Sequence, residues 1–183
     1  MTKLSNIDVA FLNVCSLTGK VREVADFIRS RGINVMALAE TWLKPDVTDG
    51  ELSIPHFTLH RKDRCDRPGG GVAIYCHETL NIRRRKDLES DLEVIWIEIS
   101  DSGRTTLLGC VYRPPSALVE YWQALQANIS QAMSGRQTQT ILVGDFNVDL
   151  QNQHSPGFQH LHQLLVQFDL TNYVTSATRV TSH

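Results

Sequence analysis

A chain of 183 residues is long enough for one domain with a substantial buried core, and its composition, 42% hydrophobic and 21% charged, shows neither a low-complexity tract nor a repeat period. The formal net charge of -2 excludes a protein that coats nucleic acid by bulk positive charge, while leaving room for a locally basic groove. No apolar stretch is long enough to span a bilayer, and the N-terminus lacks the basic flank, apolar core and cleavage site of a signal peptide, so the expectation is a soluble nuclear or cytoplasmic protein.

Ile7 to Val14 is apolar, rich in strand formers and carries Asn13 near its end, which predicts the first strand. Val21, Val24, Phe27 and Ile28 recur at helical spacing between Gly19 and Gly32, which predicts an amphipathic helix over Lys20 to Arg31. Ile33 to Ala39 is a second apolar run of strand length and leads into Glu40, Thr41 and Trp42. Strand, helix, strand suggests a βαβ unit.

Pro45 to Pro55 is polar and reads as a surface loop, and Phe57 to Lys62 as a strand followed by the charged loop Lys62 to Arg67. Gly69, Gly70 and Gly71 precede the strand Val72 to Cys76. No Lys-Ser/Thr pair and no helix follow them, which favours a tight turn or close backbone approach over a phosphate-cradling loop. The basic run Arg83 to Lys86 reads as a solvated strand edge or as a phosphate contact, the edge being preferred. Leu92 to Ile99 and Thr105 to Tyr112, joined by Ser100 to Arg104, read as a hairpin stopped by Pro114 and Pro115.

Leu118, Trp122, Leu125, Ile129 and Met133 predict a helix closed by Gly135. Ile141, Leu142 and Val143 predict a strand buried on both faces and ended by Gly144, with Asp145 and Asn147 directly beyond it. Phe158, Leu161, Leu164, Leu165 and Phe168 mark a last helix, and Leu170 to Val174 a possible strand. Cys15, Cys65, Cys76 and Cys110 show no paired spacing and read as reduced thiols. The seven histidines carry no zinc signature; His160 and His162, two apart on a helix, point to different faces.

Four apolar strands thus end in groups able to do chemistry: Asn13, Glu40, Tyr112 and the Asp145/Asn147 pair. Each also has a structural reading, as turn former, core residue or solvated carboxylate. Gathered on one edge, they would form an oxygen-rich set suited to Mg²⁺ or Mn²⁺ and unsuited to zinc. The matching chemistry is phosphate ester hydrolysis.

The ordered motifs NVCSL (Asn13 to Leu17), AET (Ala39 to Thr41), GGGVAIY (Gly69 to Tyr75), VYRPP (Val111 to Pro115) and GDFNVD (Gly144 to Asp149) resemble the endonuclease/exonuclease/phosphatase superfamily. More narrowly, they resemble the apurinic-type endonuclease domain of non-LTR retrotransposon polyproteins. The resemblance implies a four-layer α/β/β/α sandwich of two mixed sheets that nicks DNA with Mg²⁺ or Mn²⁺. It implies that Glu40, with Asn13 beside it, binds the metal, and that Asp145 aligns or deprotonates the attacking water. Asn147 would hold the scissile phosphate and Tyr112 would hydrogen-bond it or orient the nucleophile. Arg64, Arg67 and Arg113 are expected to contact substrate.

Two motifs of the family, an Asp-bearing strand and a terminal Ser-Asp-His, are not found before His183, where the sequence ends. The expectation is a domain incomplete at its C-terminus with weak or no activity, since losing a general base costs a factor of about 10² to 10⁴. A small-molecule phosphoesterase of the same superfamily and a non-catalytic DNA-binding remnant are the alternatives.

Overall fold

The computed structural model describes residues 7–137, 139–174 and 178. Two four-stranded mixed sheets stack face to face. The first has the order β1 (Val9–Asn13), β2 (Val35–Ala39), β4 (Val72–His77), β3 (Phe57–Lys62). The second has the order β5 (Asn81–Arg84), β6 (Val94–Asp101), β7 (Arg104–Tyr112), β8 (Gln139–Asp145). The β1/β2 and β7/β8 pairs are parallel and the others antiparallel.

The alternation of strand side chains builds the layers. Val35, Ala37 and Ala39 of β2, with Val72, Ile74 and Cys76 of β4, face Ile95, Ile97, Leu108 and Cys110 across the space between the sheets. Their neighbours Met36, Leu38, Ala73 and Tyr75 point the other way and bury the apolar face of α1 (Val21–Arg31) through Val24, Ala25 and Ile28. On the far side Val94, Trp96, Leu107 and Val111 receive α2 (Val119–Met133) and α3 (Pro156–Gln167). The result is the expected α/β/β/α order. No helix among the described residues is long and apolar enough to cross a membrane.

Several local expectations are met for identifiable reasons. Gly32, at φ 65°, takes the left-handed position that ends α1. Asp101 pairs with Arg104 across the two-residue turn Ser102–Gly103, both at positive φ, the backbone that matches hairpin twist. β5 lies at a sheet edge, and its charged run is paired internally: Arg84 with Glu89, Arg85 with Asp87 and Glu98. His160 stacks on Trp122 and His162 on Phe158, so the two histidines do face apart.

Others are corrected. The Pro45 to Pro55 loop is not purely a surface element, because Leu52 and Ile54 are buried against the outer face of the first sheet. Gly144 does not end β8; it lies inside the strand, paired with Val111, and a Cβ there would run into the Val111 carbonyl. β8 is half-buried rather than buried on both faces, since among the described residues it is the edge of its sheet. Leu170 to Val174 forms no strand, and Asn172 instead accepts from Val174 N in a local turn. Of the segment Thr178 to His183, all but Thr178 lies outside the described residues.

Candidate active site

The inward-facing rows of three strands end in polar residues at one end of the sandwich. Val9 and Phe11 lead to Asn13, Leu108 and Cys110 to Tyr112, and Ile141 and Val143 to Asp145. Glu40 follows directly on β2. The apolar layer between the sheets therefore gives way to a polar cluster where the carboxyl ends of β1, β2, β7 and β8 meet.

Asn13 joins the two sheets. Its Nδ2 donates to Glu40 Oε1 and to Asp145 Oδ2, each at 2.8 Å. The second carboxylate oxygen of Asp145 accepts from Asn147 N at 2.9 Å, and Glu40 Oε2 accepts from the Trp42 indole at 3.3 Å. The Tyr112 side chain is almost wholly buried beside Glu40. Burial first, then the charge of Glu40 and a hydrogen bond to it, push the phenol up to about 12.

The backbone here is unusual. Among the described residues eight non-glycine positions have positive φ, and five of them, Cys15, Ser16, Glu40, Trp42 and Asn147, belong to the loops that leave β1, β2 and β8 at this end. Such conformations persist only where surroundings impose them. Lys20 Nζ donates to the Val14 and Cys15 carbonyls, and Ser16 N and Leu17 N donate to Glu40 O and Thr41 O. Thr41 N and Trp42 N in turn donate to Gly71 O and Gly70 O. The three glycines have φ from 71° to 83°, and a Cβ on Gly71 would stand 2.6 Å from Thr41 Oγ1. Close backbone approach is thus what the glycine run provides.

The arginines divide. Arg64 lies over the Tyr112 ring, 5.6 Å from its centroid, and is ion-paired with Glu93. Arg67 is half-exposed beside Asp66. Both line a cleft of about 830 Å³ between the charged loop and the Pro114–Tyr121 segment. Arg113 does not reach the cleft as expected of a substrate contact. It is buried, stacks on Trp122 at 4.8 Å, and donates to the Phe146 and Ala117 carbonyls, while Asn147 Nδ2 donates to its own carbonyl at 2.8 Å. Its ring partner and carbonyl partners make it a support for the Asn147 loop.

Glu93 and Lys20 are not singled out by sequence pattern, because Glu93 falls inside the predicted strand Leu92 to Ile99 and Lys20 opens the predicted helix, and the fold alone brings Arg64 and Gly71 N to the first and the Val14 and Cys15 carbonyls to the second. The model of the Endonuclease/Exonuclease/phosphatase family matches residues 9–181.

The chain belongs to the endonuclease/exonuclease/phosphatase family. Among solved members of this fold, the endonuclease domain of TRAS1, a telomere-specific non-LTR retrotransposon, superposes with a TM-score of 0.69 at 13% identity, over 89% of this chain and 71% of that one. The AP endonuclease LMAP from Leishmania major gives 0.71 at 13% identity, over 92% and 71%. The 3′ phosphatase NExo from Neisseria, bound to product DNA hairpin, gives 0.65 at 17%, over 89% and 71%. At such identities the likeness is one of fold. No curated protein sequence matches this chain.

Proposed function

We propose that this chain is a divalent-metal-dependent phosphodiesterase that nicks DNA. The observation carrying the proposal is the Asn13 amide held between Glu40 and Asp145, with Tyr112 against Glu40. The atoms this cluster can offer a cation, the carboxylate oxygens of Glu40 and Asp145 and the Asn13 amide oxygen, which accepts from Cys15 N at 3.3 Å, are all oxygen, which fits Mg²⁺ or Mn²⁺. Glu40 and Asn13 would hold the ion. When bound, it supplies charge neutralisation at the phosphate and at the leaving oxygen.

The chain's own residues supply the rest. Asp145, fixed in plane by Asn13 and by Asn147 N, is the acceptor that orients the attacking water and draws its proton. The water oxygen bonds to phosphorus as the bond to the 3′ oxygen breaks; the departing 3′ oxygen takes a proton from solvent, leaving a 3′-hydroxyl and a 5′-phosphate, and Asp145 returns the proton it drew to solvent. Asn147 keeps one amide hydrogen beyond that given to Arg113 O, and offers it to a phosphate oxygen. The Tyr112 hydroxyl, held protonated to about 12, is a donor throughout the working pH range. Arg64 and Arg67 present positive charge along the cleft toward a phosphate backbone. The likeness to TRAS1 and LMAP in fold supports DNA as the substrate class.

The test is nicking of supercoiled plasmid in Mg²⁺ and in EDTA, with the unaltered protein, Glu40→Gln and Asp145→Asn. Nicking that needs Mg²⁺ and falls at least about a hundredfold in each variant is expected. An intact plasmid, or nicking that survives both substitutions, refutes it. Turnover of a soluble phosphomonoester without nicking would move the chain to the small-molecule branch.

A further inference from the structure

Glu93 stands in none of the family-like motifs, yet it touches three parts of the site from one largely buried position. It precedes β6, its side chain is 13% exposed, and the Arg64 side chain paired with it is 9% exposed. Glu93 Oε1 accepts from Arg64 Nε at 2.9 Å and from the Arg64 terminal nitrogen, and Oε2 accepts from Gly71 N. Its backbone carbonyl accepts from Tyr112 N at 2.9 Å.

Each contact leads to a functional group. Arg64 is pressed flat on Gly70, where a side chain would collide with its guanidinium, and lies over the Tyr112 ring. Gly70 and Gly71 carry, on their carbonyls, the N–H groups of Trp42 and Thr41, which follow Glu40 directly. We infer that Glu93 is a positioning residue that sets Glu40 and Tyr112 relative to each other, holding the glycine turn through one carboxylate oxygen and Arg64 through the other.

The chemistry of the carboxylate is specific. Both oxygens must be acceptors, because both face N–H donors. A glutamine is nearly the same size but turns an NH₂ toward one of those donors, so one of the two holds must open. An aspartate keeps two acceptors and the charge, on a stem one methylene shorter.

The test reads the tryptophan indoles by amide-type ¹⁵N–¹H spectroscopy. Trp42 donates to Glu40, Trp96 donates to Asn128 in the outer core at 2.8 Å, and Trp122 lies on α2 against Arg113. In Glu93→Gln the Trp42 indole N–H is expected to shift and to exchange with solvent at least about tenfold faster, with Trp96 and Trp122 unmoved. Glu93→Asp is expected to recover most of the effect. An unmoved Trp42 overturns the inference, and so does joint movement of all three indoles, which would make Glu93 a general stability residue. The nicking arm rests on the proposed phosphodiesterase: Glu93→Gln should lower the turnover of bound plasmid by about ten- to a hundredfold with little change in half-saturation. If the unaltered protein does not nick, that reading fails, and the indole spectra still decide on Glu93.

Discussion

Replacing Asn13 by Ala and by Asp separates electrostatics from shape at the centre of the site. Ala removes two hydrogen bonds to charged acceptors, worth about 1.5–3 kcal/mol each when buried. Both carboxylates here are half-buried, so water returns part of that, leaving about 1 kcal/mol per bond. Without the amide, Glu40 Oε1 and Asp145 Oδ2, each 2.8 Å from one nitrogen, face one another directly. Two unit charges about 5 Å apart repel by about 3 kcal/mol at an effective dielectric near 20, and outward rotation relieves most of it. The expected loss for Asn13→Ala is about 3 kcal/mol, or about 6–12 °C in Tm for a chain of this size. Asn13→Asp preserves shape but adds a third carboxylate, so in EDTA at neutral pH it should be the more damaging of the two. Millimolar Mg²⁺ should reverse that order, since Asp supplies an oxygen ligand that a hard cation can neutralise and bind where Ala supplies none. Urea unfolding with and without the ion measures both. An Asp variant milder than Ala in EDTA, or an Ala loss under about 0.5 kcal/mol, would refute the reasoning.

Gly144→Ala should cost at least about 2–3 kcal/mol in urea unfolding, because a Cβ there meets the Val111 backbone inside a parallel pair that cannot yield without losing the ladder. Tyr112 is raised from 10.0 to about 12 by burial and Glu40, so the folded state keeps a proton that the unfolded chain gives up. Its contribution to stability is complete below pH 10 and is lost as the pH climbs toward 12, and Tyr112→Phe should flatten the alkaline fall over that window in a stability-versus-pH series. Of the four thiols, Cys15 and Cys65 are exposed, while burial holds Cys76 and Cys110 at about 12. A thiol-specific disulfide reagent should therefore titrate two groups quickly in the native protein and four in urea. Trp96→Phe should cost about 1–3 kcal/mol by leaving the buried Asn128 carbonyl oxygen without its donor, beyond any loss of volume.

The layer order was legible only through the motif resemblance, since all five side chains of Val35–Ala39 are apolar and buried and do not say which face meets the other sheet. The strands themselves were legible because each is a short apolar run that ends in polar or turn-forming residues. The candidate site was legible for the same reason, since Asn13, Tyr112 and Asp145 are the polar last members of inward apolar rows. What was not legible is how loops are held. Arg113 follows Tyr112 in the VYRPP motif and looks like a phosphate contact, but its direction depends on Trp122, nine residues on, and on carbonyls of the loop after β8. Gly144 looks like a stop because glycine usually is one, whereas here the reason for glycine lies on the neighbouring strand. Leu52 and Ile54 sit in a polar stretch whose composition hides two core side chains. Interactions set by spatial neighbours far along the chain leave no period for sequence reasoning to find.

The two carboxylates of the site are carried by different sheets, and that fixes what controls their separation. Glu40 follows β2 and Asp145 ends β8, and beneath them β1 and β8, each the edge strand of its sheet among the described residues, pack Val9 and Phe11 beside Ile141 and Val143. Stacked sheets keep a spacing of about 10 Å that depends on the volume of the side chains between them. The distance Asn13 bridges is therefore set by the apolar rows below it, in series with the amide itself. Loop strain at Glu40, Trp42 and Asn147 orients the groups, but it does not decide how far apart they stand. A change in the volume of the inter-sheet layer near Phe11 or Val143 should consequently reach the site more directly than a change in the outer cores around α1 or α2, although none of these side chains hydrogen-bonds to a site residue.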